Sequence, residues 1–183
     1  MLIHTRRLRL LTCELPHLSA IASDAASLAK LLGVAVPEHW PVHRTAYRHA
    51  EVLARKNPLL VSSGWWLYLF VDPVLKVLVG SGGFKAAPDT DGVVEIGCEI
   101  APEYRRQGYA TEALRGLIRY AFSRSGVTAV QAHSLPRRCP QSELARALGM
   151  KRIGEAIDAV AGKVWTWQLL QEAYLELELR AGA

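Results

Sequence analysis

The chain has 183 residues, 50% of them apolar, which is enough for one domain with a buried core and too few for two. Its 22 Lys and Arg residues exceed its 17 Asp and Glu residues, and the net charge of +5 suits an anionic ligand. A clustered basic stripe typical of nucleic-acid-binding proteins is missing, and three distant cysteines, Cys13, Cys98 and Cys139, exclude a disulfide framework or a CxxC site.

The N-terminal residues and the hydropathy pattern bear on location. Charges at Arg6 and Arg7 stand where a signal peptide has its apolar run, and the apolar stretches are too short to span a membrane. With reduced cysteines, this predicts a cytoplasmic protein that has no membrane partner. His39 and His43 have helical metal-ligand spacing, but Pro41 lies between them and a third ligand is missing, so no metal site is predicted.

The first part of the chain predicts one strand and two helices. Alternation of apolar and basic residues around Leu8 is typical of a half-buried strand. Apolar spacings of three and four over residues 16–32 predict one amphipathic helix that Gly33 ends. A second helix is predicted over residues 43–56, because the residue before Pro58 is disfavoured in a helix.

The remainder of the chain predicts mainly strands, separated by two helices. Residues 65–71 and 74–84 are rich in aromatic and β-branched residues and predict a hairpin with a turn at Asp72-Pro73. The tail from residue 171 has no clear pattern. The other predicted strands are 94–100, 128–133 and 164–169, and the other predicted helices run from near Gly108 to Phe122 and from Pro140 to just before Gly149.

A basic turn separates the strand that ends at Ile100 from the helix that begins near Gly108. Helix N-termini expose backbone N–H groups without intrahelical partners and carry partial positive charge, so they stabilise a diphosphate. Glycine lets phosphate oxygens approach the backbone. The turn lacks the Gly-Lys-Ser/Thr end of a P-loop and the spaced glycines of a dinucleotide fingerprint. By itself, the turn is equally compatible with a phosphate site and with an exposed basic loop that only caps a helix.

The pattern Arg105-x-x-Gly108-x-Ala110 resembles the Q/R-x-x-G-x-G/A motif of the GNAT superfamily of N-acetyltransferases, in which these amides hold the pyrophosphate of acetyl-coenzyme A. Residues 5–10 also resemble the opening strand of the branch that includes the ribosomal-protein N-terminal acetyltransferases. The resemblance covers residues 4–170, expected to form one domain, and leaves residues 171–183 as a C-terminal tail. The other segments that carry it are residues 5–10, 79–84, 95–100 and 111–114.

The resemblance implies an α/β (α+β) GNAT fold, in which helices flank a central mixed, mostly antiparallel sheet of six to seven strands. It implies an acetyltransferase that uses acetyl-coenzyme A as co-substrate and a primary amine as acceptor, either a peptide N-terminus or a small molecule, by direct attack. A monomer or homodimer without a nucleic-acid partner is expected. The residues expected to contact the cofactor are Cys98, Glu99, Ile100, Arg105, Arg106, Gln107, Gly108, Tyr109, Ala110, Thr111 and Arg138.

Two carboxylates on the strand before the turn are candidates for the base that neutralises the amine. Glu95 and Glu99 share one face of this strand, and the resemblance gives Glu95 the position of a frequent base in the family. Both are equally compatible with solvated residues on a sheet face. Cys98 falls in phase with apolar residues and indicates a structural thiol. His133 is interpreted as a structural or solvated histidine rather than a base.

The chain departs from the family pattern where an acid for the leaving thiolate is expected. Many relatives have asparagine at the position of Arg138, serine at that of Gln141, or tyrosine at that of Ala145. Ser142, one residue beyond the expected serine, completes the catalytic candidates with Glu95 and Glu99. These departures leave a second function open, a module that binds or senses acyl-coenzyme A with little turnover.

Overall fold

The sheet of this protein, described over residues 1–181 by a computed structural model, contains eight strands in the order β1-β2-β3-β4-β5-β6-β8-β7. Neighbouring strands pair antiparallel except β5 and β6, which are parallel. The expected mixed, mostly antiparallel sheet is confirmed, with eight strands instead of six to seven. The strands are β1 (Leu2–His4), β2 (Arg9–Thr12), β3 (Leu67–Asp72), β4 (Val77–Phe84), β5 (Val93–Ile100), β6 (Ala129–Ser134), β7 (Lys151–Asp158) and β8 (Gly162–Leu170).

Helices cover both faces of the sheet and create two hydrophobic cores. One core joins the sheet to α5, α6 and α7 around residues such as Leu117 and Phe70. The other joins the opposite face to α1, α2 and α3 around Leu18, Trp40 and Leu69. The helices in the described residues are α1 (Leu15–Ser23), α2 (Ala25–Leu32), α3 (Arg44–Lys56), α4 (Pro58–Ser62), α5 (Tyr109–Phe122), α6 (Pro140–Ala147) and α7 (Gln171–Ala181).

The single helix predicted over residues 16–32 is wrong, because the chain breaks at Asp24. This residue is extended, with φ −163° and ψ 164°, and its carboxylate accepts from Ser27 N at 2.7 Å. It therefore caps the start of α2. The apolar period continues across the break, since Leu18 and Leu28 reach the same core, and this continuity made the two helices resemble one.

Four elements lie outside the predicted set, and one of them is the short helix α4 (Pro58–Ser62), which follows the second predicted helix. Strand β1 has only three residues, and the edge strand β7 is largely exposed, so neither shows a clear apolar alternation. Residues 171–181 of the tail form α7, where Tyr174 stacks on Phe122 with ring centroids 4.9 Å apart; residues 182 and 183 lie outside the described residues. None of the helices within residues 1–181 is long and apolar enough to cross a membrane.

Candidate active site

Strands β5 and β6 are paired over three residue pairs, the last of which joins Glu95 to Gln131. Beyond this pair, β5 remains paired with β4 as far as Ile100, whereas β6 remains paired with β8 as far as Ser134. The two strands therefore separate and leave a gap in the middle of the sheet.

Backbone groups of β5 line this gap. Ala101 N donates to Val79 O at 2.9 Å, which sets the phase of hydrogen bonding between β4 and β5. Antiparallel strands alternate between residues that bond a given neighbour and residues that face away from it. Cys98 and Ile100 consequently direct their N–H and C=O groups away from β4 and toward the gap. Arg105 Nε donates to Ile100 O at 3.0 Å from that side.

The turn after β5 leads to an uncapped helix start. A 3₁₀ turn at Pro102–Tyr104 is followed by Arg106 and Gly108, whose φ angles of 61° and 81° lie in the left-handed region. Among the described side chains, none provides a capping hydrogen bond at the N-terminus of α5. The N–H groups of the first turn therefore stay available to a ligand.

An ion pair braces this helix start against the N-terminal segment. Glu112 accepts from Thr5 Oγ1 at 2.6 Å, from Arg7 N at 2.6 Å and from Arg7 Nε at 2.7 Å. Burial disfavours the charged form of Glu112, but these hydrogen bonds outweigh it and lower the pKa of the carboxyl group. Arg7 Nη2 also donates to Gln107 O at 3.2 Å. A guanidinium group is thus fixed beside the turn.

The residues of the turn that are predicted to contact the cofactor differ in which of their groups remain free to bind a ligand. The Tyr109 side chain is buried and its hydroxyl donates to Asp72 Oδ2 at 3.0 Å, so only its N–H is available. Gln107 Nε2 donates to a backbone carbonyl of the preceding 3₁₀ turn at 3.0 Å. The other members are Arg106, which is exposed, and Ala110 and Thr111, which are half-buried in the first turn of α5.

Glu99 lies on the opposite face of the sheet from α5, in contact with α3. The Tyr47 hydroxyl donates to Glu99 Oε1 at 2.6 Å, and the Ser81 hydroxyl is hydrogen-bonded to that of Tyr47. Since Tyr47 gives its single proton to the carboxylate, Ser81 is the donor in the second bond. Burial and the charge of Glu99 raise the pKa of Tyr47 far above its usual value.

One oxygen of this carboxylate is left without a partner. Glu99 Oε2 is buried and makes no hydrogen bond within residues 1–181. A buried carboxylate oxygen without a donor is costly, so the site is suited to accept a hydrogen bond from an ammonium group. Gly97, two residues earlier on the same face, is exposed, and a Cβ added there would meet nothing within 4 Å. This stretch of β5 is therefore open to a ligand.

Glu95 lies where the two strands separate. Its Oε1 is 2.5 Å from Lys85 Nζ and 2.9 Å from His133 Nδ1. His133 follows the parallel pairing on β6 and lies on the same face as Glu95. Its side chain therefore reaches across the start of the gap. Glu95 and Glu99 consequently border the open stretch of β5 at its two ends.

The remaining predicted residues contact the protein itself. Ser142 is buried, and its Oγ donates to Cys139 O and accepts from Cys139 N, both at 2.9 Å, at the start of α6. Arg138 is exposed and its Nε donates to Glu143 Oε1 at 2.9 Å. Burial raises the pKa of Cys98 to about 12, so it remains a thiol at neutral pH. Roles of these residues toward a ligand stay predictions.

Tyr47, Lys85 and the Thr5–Arg7–Glu112 brace were not predicted from the sequence. Tyr47 could have been found from the sequence, because its side chain lies on the buried side of a predicted helix and ends in a hydroxyl that needs a hydrogen-bond partner. The brace joins residues more than a hundred positions apart, and local patterns hold no information about such contacts.

A family model described as an acetyltransferase (GNAT) domain matches residues 7–151. The protein described as uncharacterized N-acetyltransferase YjdG of Bacillus subtilis (strain 168) is 28% identical over 169 residues, which cover 91% of this chain and 96% of that protein.

Solved structures with the same fold include two acetyltransferases. RimL, described as a ribosomal L7/L12 alpha-N-protein acetyltransferase in complex with coenzyme A, has a TM-score of 0.70 and 18% identity, covering 94% of this chain and 99% of its own. A chimera of the Vibrio cholerae spermidine N-acetyltransferase SpeG and hSSAT has a TM-score of 0.67 and 18% identity, covering 92% and 98%. At identities this low, the structural similarity shows a shared fold and nothing more.

Proposed function

The chain belongs to the GNAT acetyltransferase family, and we propose that it transfers the acetyl group of acetyl-coenzyme A to a primary amine by direct attack. The observation that carries this proposal is the position of the gap between β5 and β6, immediately before the uncapped start of α5. Only residues 101–108 separate the end of β5 from α5. One elongated ligand with a diphosphate at one end and a thioester at the other suits this arrangement.

The groups that we assign to the diphosphate are the first N–H groups of α5 and the guanidinium of Arg7. Helix N-termini favour anions through free N–H donors and the helix dipole. Arg7 lies beside the turn because Glu112 fixes it there. Arg106 is exposed on the same turn and adds a second positive charge. These contacts would bind the cofactor without taking part in the transfer.

The transfer itself requires the amine nitrogen to attack the thioester carbon, so that a C–N bond forms and the C–S bond breaks. Acetyl-coenzyme A supplies the activated acetyl group. We assign stabilisation of the carbonyl oxygen to the N–H of Cys98, which faces the gap. The free Oε2 of Glu99 would hold the acceptor ammonium. Ser142 is committed to the start of α6, so the leaving thiolate takes its proton from solvent in this proposal.

The acceptor is proposed to be a charged primary amine. The names of the two structural relatives point to a ribosomal-protein α-amino group for RimL and to spermidine for SpeG. Peptide N-termini and polyamines are both primary amines that carry positive charge near neutral pH. Glu99 would bind either class through the same oxygen, so the choice between them depends on the rest of the groove.

Release of free thiol from acetyl-coenzyme A tests the proposal, with N-terminal peptides, polyamines and aminoglycosides as acceptors. We expect release with at least one of these classes. Thermal stabilisation by acetyl-coenzyme A without thiol release from any amine would contradict turnover. That result would support the acyl-coenzyme A sensor that the departures at Arg138, Gln141 and Ala145 leave open.

A further inference from the structure

His133 and Glu95 form a polar pair at the point where β5 and β6 separate, 2.9 Å apart between Nδ1 and Oε1. An ionised carboxylate only accepts hydrogen bonds, so the proton lies on Nδ1. In the neutral ring, Nε2 then has a free lone pair. Lys85 Nζ lies 2.5 Å from the same carboxylate oxygen.

The surroundings of His133 leave its second nitrogen accessible. The His133 side chain keeps 22% of its surface exposed, and the hydrogen bonds found among residues 1–181 include none to Nε2. The other charged groups nearby are Lys85 and Asp158, whose Nζ and Oδ2 are 3.9 Å apart. The ring lies on the same face of the sheet as exposed Gly97 and the free oxygen of Glu99. An amine held by Glu99 over Gly97 therefore lies on the side of the gap that His133 occupies.

We infer that His133 is the catalytic base of this acetyltransferase and that Glu95 is its positioning residue. This inference rests on the proposed function. Nε2 accepts one proton from the ammonium held by Glu99, which frees the nitrogen lone pair. The neutral amine then attacks the thioester carbon, so that the C–N bond forms and the C–S bond breaks. The second proton of the nitrogen passes to solvent, from which the leaving thiolate takes its proton. The ring becomes an imidazolium whose Nδ1–H stays bonded to Glu95, and the proton on Nε2 then passes to solvent. The ionised carboxylate keeps the ring oriented and stabilises its positive charge.

The geometry favours His133 over the two carboxylates as the direct proton acceptor. Oε1 of Glu95 already contacts Lys85 and His133, so this oxygen is engaged by groups of the protein and not by an acceptor amine. Glu99 accepts the Tyr47 hydroxyl and is assigned to bind the ammonium. Imidazole exchanges protons near neutral pH and is the commonest general base in enzymes. This assignment replaces the interpretation of His133 as a structural or solvated residue.

Substitution of His133 tests this inference by steady-state kinetics. We expect His133→Gln to lower kcat about 100-fold or more, with the affinity for coenzyme A and the Tm unchanged. His133→Ala should behave alike and regain turnover when free imidazole is added, a response that a structural role would not produce. Glu95→Gln should lose turnover without rescue by imidazole. His49→Gln, at an exposed histidine on α3, is the matched control and should retain wild-type turnover.

An acceptor that is already neutral at the assay pH gives a second readout. With an alkoxyamine in place of an alkylamine, the loss of turnover in His133→Gln should be smaller, because an alkoxyamine does not need to lose a proton before it attacks. Wild-type turnover in His133→Gln, or an equal deficit with both acceptors and no response to imidazole, would overturn the inference. A wild-type enzyme that releases no thiol with any amine would instead contradict the proposed function, so the two failures are distinguishable.

Discussion

Gly108 caps α5 with φ 81°, and a Cβ added there would meet only Arg7 Nη2, at 3.4 Å. The backbone conformation therefore requires glycine more than crowding does. The motif containing this residue could be recognised from the sequence, because its residues are contiguous in the chain and resemble the family motif. The contact partners of the neighbouring side chains could not, because Tyr109 and Arg105 bond to groups that the fold brings to them.

A negative charge at position 108 should weaken cofactor binding. Gly108→Glu costs about 1 kcal/mol of stability for the left-handed conformation and places a carboxylate at the helix start. We expect the affinity for coenzyme A, measured by calorimetry, to fall about 100-fold, roughly 3 kcal/mol. Gly33→Glu is the control, because Gly33 has φ 68° and open space around it at the end of α2. Equal affinities for the two variants would argue against the phosphate site.

Replacement of Tyr47 should weaken binding of the acceptor amine and leave binding of the cofactor unchanged. Tyr47→Phe removes the donor to Glu99 and leaves a buried carboxylate oxygen unpaired, so the free energy of unfolding should fall by about 1–3 kcal/mol. The KM for the amine should rise while the affinity for coenzyme A stays constant. Initial rates at varied amine concentration measure the first quantity and calorimetry the second. An unchanged KM would exclude Glu99 from acceptor binding.

At the scale of elements, α5 depends on the N-terminal segment to hold its first turn. Glu112, in that turn, takes three hydrogen bonds from Thr5 and Arg7. The helix itself was predictable, because its apolar period is regular and a glycine precedes it. The break at Asp24 was not, because a cap can interrupt a helix without disturbing its apolar period. Edge strand β7 escaped prediction for a related reason, since an exposed strand needs no apolar alternation.

Glu112→Gln should lower the free energy of unfolding at pH 7 by about 2 kcal/mol, because charge-assisted hydrogen bonds become neutral ones. The pKa of Glu112 is below its ordinary value of 4.5 in the folded protein. Its contribution is therefore present above pH 4.5 and is lost as the pH falls through the folded-state pKa. Urea unfolding between pH 3 and 7 should show a shallower acid decline in the variant than in the wild type.

Glu143→Gln is the matched control for this measurement. Glu143 pairs with Arg138 and Arg146, whose side chains are 84% and 52% exposed. Exposed ion pairs contribute little, so the change should stay within about 0.5 kcal/mol. Equal losses in the Glu112 and Glu143 variants would contradict the bracing role of Glu112.

For the whole molecule, α7 extends the core beyond the part that resembles the family. Tyr174 stacks on Phe122 at the C-terminal end of α5, far along the helix from its N-terminus. Tyr174→Ala should lower the free energy of unfolding by about 2 kcal/mol, whereas Leu179→Ala, at a side chain 76% exposed on the same helix, should change it little. Thermal unfolding with and without coenzyme A should show the same ligand-induced stabilisation in both variants.

The three parallel pairs between β5 and β6 make a short seam between a five-stranded and a three-stranded half of the sheet. Helix α5 also links the halves, because it packs on β4 and β5 on one side of the seam and on β6 on the other. A ligand bound between β5 and β6 would contact both halves of the sheet and stabilise the seam. Amide hydrogen exchange at residues 93–95 and 129–131 should therefore slow more on coenzyme A binding than exchange in β2 or β3. Bound coenzyme A would then replace part of the strand pairing that β5 and β6 lack where they separate.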